Sequence, residues 1–136
     1  MFRSVPMRLA LTALILSGVG FVLFGLILLV APQATLAGLG ITVSDGAATV
    51  EIRAFYGGLE LALGALLLWA ALRPEARAHG LVLGAVSYGG IGLVRGVSMA
   101  LAGVATPFLW AALVTEAVLA GLCALGWRRI TAESRR

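Results

Sequence analysis

Long apolar runs broken by short polar segments set the pattern of this chain. Four runs reach the roughly 20 residues that a spanning helix needs: Leu9–Ala31, Ala54–Leu72, Gly80–Gly103 and Pro107–Trp127. Each run is continuously apolar rather than alternating with period two, which predicts helices and not barrel strands. The loop Arg73–His79 contains Pro74, and the next one, Val104–Pro107, is shorter still. Connections this short join antiparallel neighbours. The expected fold is therefore all-α: a membrane-embedded antiparallel four-helix bundle, one transmembrane domain over residues 1–136.

The longer connection, Pro32–Arg53, is punctuated by turn residues at Gly38, Gly40 and Ser44-Asp45-Gly46, with Ile41-Thr42-Val43 between them. Pro32 ends the first helix, and a short interfacial helix or an extended piece follows. Ser44 or Asp45 is placed to cap a second helix that starts outside the bilayer and enters it near Arg53. The first apolar run is longer than a signal-peptide core of about 7–15 residues, so that helix is expected to be retained.

Composition sharpens the class. Hydrophobic residues make up 61% of the chain and charged residues 12%, against about 25% charged in soluble domains. All ten basic residues are arginine. Arg3, Arg8, Arg73, Arg77, Arg128, Arg129, Arg135 and Arg136 fall on one side of four spans, whereas the other side has only Arg53, with Asp45 and Glu51. This bias places both termini in the cytoplasm. The arginine-only usage and the Ala/Gly/Leu richness point to a GC-rich bacterial genome, and the expected location is the bacterial inner membrane. The basic surface that nucleic-acid binding requires has no soluble domain to sit on.

Glu60, Arg95 and Glu116 lie inside the apolar runs, where a lone charge costs about 2.5–3.5 kcal/mol. Counted from the arginine-poor side at 1.5 Å per residue, they sit roughly 9, 12 and 13 Å deep. One cluster is the natural arrangement. Arg53, Gly57, Glu60, Gly64 and Leu67 share a helical stripe, as do Gly84, Tyr88, Gly92 and Arg95, and Ala112, Glu116, Ala120 and Cys123. With Arg53 included, the set has two positive and two negative members, the balance a buried network needs when all are ionised. Such a cluster either fixes helix register or forms a site. Tyr56 and Tyr88 can add hydroxyl contacts or pack as aromatics. Trp69, Trp110 and Trp127 read as interface anchors. Gly92-Leu-Val-Arg-Gly96 has the spacing that lets a neighbouring backbone approach closely.

Soluble-enzyme motifs do not occur: no phosphate-binding glycine loop follows a strand, and no nucleophile elbow or paired Cys-x-x-Cys is present. Cys123 is the single cysteine and His79 the single histidine, so neither a disulfide nor a His-rich metal site is expected, and no cofactor is implied.

The stretch Glu51-Ile-Arg53-Ala-Phe-Tyr56-Gly57-Gly58-Leu-Glu60-Leu-Ala-Leu-Gly64, followed by Gly92-Leu-Val-Arg95-Gly96 on the next span, resembles the small bacterial membrane family called domain of unknown function 4345. The likeness runs from Leu9 to about Trp127 and implies that Arg53, Tyr56, Gly57, Gly58 and Arg95 belong together. It carries no activity. Members often have an Asp-Gly turn after the third span, where this chain has Ala102-Gly-Val-Ala-Thr-Pro107. A fainter similarity to DoxX-like membrane proteins concerns architecture only. Two roles follow from the residues. The first is a non-catalytic accessory or scaffold subunit of a larger membrane complex, contacting lipids and that partner. The alternative is a binder or transporter of a small anionic or lipidic molecule in an outer-half pocket formed by Glu60, Arg95 and Glu116.

Overall fold

The computed structural model describes residues 5–43 and 46–133. Ser44 and Asp45, the candidate caps, lie outside the described residues, as do Arg3, Arg135 and Arg136. All regular structure in the described residues is helical. Helix α1 spans Val5–Val30, and the short α2 spans Pro32–Ala37 with the proline in its first turn. Ala31 breaks the run between them with φ −131° and ψ 56°, outside the α region that a following proline disfavours. Helix α3 covers Ala47–Leu72 and contains a π-helical turn at Arg53–Gly58. A 3-10 turn at Pro74–Ala76 leads into α4, Arg77–Ala102, and α5 is Pro107–Glu133. Four helices are long and apolar enough to cross a membrane. The helices overrun the apolar runs by several residues because polar ends continue into the interface, where water can satisfy them.

Gly103 ends α4 in the left-handed conformation, φ 64°, with its N–H bonded to the Met99 carbonyl, the usual glycine stop. Three residues on, the Thr106 hydroxyl accepts the Leu109 N–H at 3.3 Å, and Pro107 opens α5. The last tight connection is thus written in local sequence.

Packing is by small residues, as expected where lipid removes the hydrophobic drive between helices. Helix α1 is central and touches α3, α4 and α5. It meets α3 through two glycine pairs seven residues apart. A Cβ on Gly64 would lie 2.7 Å from the Gly18 carbonyl oxygen, and one on Gly25 would lie 2.9 Å from the Gly57 carbonyl oxygen. Elsewhere a Cβ on Gly84 would meet the Cys123 sulfur at 2.8 Å, and one on Gly126 the Ala10 Cα at 3.3 Å. Gly96 faces Leu113 of α5, so the Gly92–Gly96 spacing serves contact within the chain. The large exposed apolar side chains are spread over all four long helices, as on a lipid-facing surface.

The candidate functional site is an ion pair beside three cavities

On α4, Tyr88, Gly92 and Arg95 occupy one face, and Glu116 of α5 packs against it. Gly92 makes this possible: a Cβ there would stand 3.2 Å from the Glu116 Cβ and 3.5 Å from its Oε2. Arg95 then holds the carboxylate with one edge of its guanidinium. Nε donates to Oε1 and Oε2, both at 2.9 Å, and Nη2 donates to Oε1 at 2.6 Å. Arg95 keeps 27% side-chain exposure and Glu116 9%. Pairing neutralises both charges and orients the arginine bidentately.

Glu60 reaches the same region from α3. It lines one cavity together with Arg95 and Glu116, but its Oε2 is buried with no hydrogen-bond partner. Tyr88 is committed to structure. Its hydroxyl donates to the Ser17 carbonyl at 2.8 Å, and its ring stacks on Phe21 with centroids 4.2 Å apart. Replacing it by phenylalanine is expected to lower stability by about 0.5–1.5 kcal/mol, read as an earlier thermal unfolding midpoint in detergent. Tyr56 is exposed and borders the cavities instead.

Arg53 does not join this group. It is exposed and lines none of the three cavities that meet at Arg95. The α-helical spacing that put it on the Glu60 stripe fails because Arg53–Gly58 is a π turn, which takes one more residue per hydrogen-bonded turn. Residues before the turn are therefore rotated relative to those after it. Gly57, Gly64 and Leu67 are buried as the stripe predicts, Glu60 is half-buried, and Arg53 is outside. The expected balance of two positive and two negative charges becomes one arginine and two glutamates.

The three cavities have volumes of about 350, 550 and 700 Å3, and Arg95 lines all of them. Phe24 and Phe108 are shared by the first two, and Ile91 by the first and third. The smallest cavity holds Glu60 and Glu116. The second extends to Leu36, Gly38 and Ile41 of the long connection and to Thr106, at the end of the bundle poor in arginine. Sequence reasoning missed the aromatic walls, Phe21, Phe24 and Phe108. The depth count made for the acids, applied to Phe21 and Phe24 at i, i+3 spacing, would have found those two.

Among the described residues no group of His, Cys, Asp and Glu could hold a metal ion. Cys123 is buried against Ser17, with 3.3 Å between sulfur and hydroxyl. What this arrangement can do is hold a molecule that has an apolar body and a polar group.

The family described as Domain of unknown function (DUF4345) matches residues 9–127. The chain belongs to this family. The match covers every cavity-lining residue discussed above and the Arg53–Gly64 and Gly92–Gly96 segments that carried the resemblance. No curated protein and no solved structure matches the chain. Nothing in these matches supports the fainter likeness to DoxX-like proteins. For this DUF4345 member, the function has to be argued from the site.

Proposed function

We propose that this membrane protein binds a small, largely apolar molecule in the cavity lined by Glu60, Arg95 and Glu116. The observation that carries the reading is the convergence of three cavities on one arginine already fixed by a carboxylate. Further cavities of about 380 and 490 Å3 lie elsewhere, but neither is lined by Arg95, Glu60 or Glu116. Walls that are mostly apolar with a few convergent polar groups are the usual composition of a small-molecule site. An accessory subunit, the other role expected from sequence, asks for an apolar groove distinct from a lipid-facing surface. Exposed apolar residues here are distributed over all the long helices, so the cavity is the better support.

The arginine bias favours an orientation in a bacterial inner membrane with both termini cytoplasmic, Arg8, Arg73, Arg77, Arg128 and Arg129 on that side. The cavities then open toward the outer half of the bilayer.

Native mass spectrometry of the protein carried in its own lipid tests the binding reading. A discrete small-molecule adduct is expected on the wild type and not on Ala112→Phe, which fills the cavity from α5. Ala112→Phe should melt within a few degrees of the wild type. A chain that carries the same adduct with and without the phenylalanine would refute the proposal.

A further inference from the structure

We propose that the innermost cavity takes an organic cation of the quaternary ammonium or phosphonium kind, with Glu60 as its counter-ion. This deepens the binding reading above and rests on it. The sign follows from which charges are already committed. The Nε–Nη2 edge of Arg95 is occupied by Glu116, so only its Nη1 side is left to meet an anion. That pair is neutral as a unit. Arg53, which the sequence counted as a second positive charge, is exposed and lines none of the three cavities. Glu60 is therefore the remaining charge on the wall, and its Oε2 is buried without a partner. An anion would meet this carboxylate with like charge; a cation would complete it.

The rest of the wall selects the kind of cation. Phe21, Phe24, Tyr88 and Phe108 all line this cavity. Aromatic faces attract cations through the ring quadrupole, and quaternary ammonium ligands are the usual case. A hard metal cation needs six or more oxygen ligands or several retained waters, and one unpaired carboxylate among rings does not supply them. A weakly hydrated cation with an apolar body leaves water readily and matches both the rings and the carboxylate. The volume of about 350 Å3 falls within the range of small-molecule sites. Phe24 and Phe108 also border the next cavity, which gives a route in from the end of the bundle poor in arginine.

Two probes of the same shape and opposite charge test the sign directly. Tetraphenylphosphonium and tetraphenylborate are equilibrated by dialysis against the protein in phosphatidylcholine nanodiscs, and uptake by empty discs is subtracted. Saturable binding is expected for the phosphonium and none for the borate. Glu60→Gln should weaken phosphonium binding roughly tenfold or more, while Glu60→Asp retains most of it. Phe108→Leu keeps apolar bulk at a half-exposed position and removes one ring, so a loss of a few-fold is expected. That variant and the wild-type sign preference decide the question even where Glu60→Gln folds poorly. Saturable borate binding, or phosphonium binding unchanged in a folded Glu60→Gln, overturns the cation assignment. Neither result touches the binding reading, which falls only when the native adduct is absent or insensitive to Ala112→Phe.

Discussion

Replacing Glu116 by leucine is expected to destabilise the protein by about 3 kcal/mol or more. The variant removes the carboxylate that accepts three hydrogen bonds from Arg95 and leaves a guanidinium at membrane depth. Breaking a buried pair by removing one partner costs more than the pair itself contributes, because the survivor stays desolvated. Lipid makes that worse, since a lone arginine there is already disfavoured. Against total stabilities of about 5–15 kcal/mol, this is a large fraction. Partial escape exists: Arg95 is 27% exposed and can turn toward the wider cavities. The double variant Arg95→Leu with Glu116→Leu should recover most of the loss, because no charge is then stranded. Unfolding in mixed micelles, followed by helical signal against added SDS, compares the wild type with both variants. A double variant as unstable as the single one would show that the pair is needed for more than charge balance.

Gly64→Ala is the second large effect. Its Cβ would sit 2.7 Å from the Gly18 carbonyl oxygen and 2.8 Å from the Val22 backbone nitrogen. Both are main-chain atoms in the middle of α1, so neither can rotate away. The helices must separate along the crossing, which also opens the Gly25–Gly57 contact one heptad on. A cost of about 3 kcal/mol is expected, the upper end for overpacking. Gly90 and Gly121 provide the control, since a Cβ at either meets nothing within 4 Å. Alanine at those positions should be neutral or stabilising by up to about 1 kcal/mol through helix propensity. Thermal unfolding of the set by circular dichroism checks the contrast. Equal losses at Gly64 and Gly90 would mean that the α1–α3 crossing is not as close as the glycines imply.

Much of the site could be read from residue positions. Glu60, Arg95 and Glu116 stood out because each interrupts an apolar run, and the depth count placed them at similar heights because helix rise is constant. Gly92 was marked as a close-approach position, and the structure shows which group approaches: the Glu116 side chain. Arg53 was misplaced for a specific reason. Periodicity arguments assume 3.6 residues per turn, and the π turn at Arg53–Gly58 breaks that assumption where the stripe begins. Tyr88 read first as a packing aromatic, with a hydroxyl contact as the alternative. It does both, toward Phe21 and Ser17, and a single chain of residues could not have named either partner.

By itself the sequence determined the helical membrane class, four apolar runs long enough to span, and the three charges that interrupt them. Those properties depend on local quantities: apolar run length, the rise per residue, and the rule that every backbone group in lipid is bonded within its own helix. Only the tertiary structure decided that Arg95 pairs with Glu116 and leaves Glu60 unpartnered, that Gly18 meets Gly64, and that three cavities share one arginine. These are relations between helices. They follow from crossing register and from side-chain volume at the contacts, and no helix encodes its neighbour's rotation.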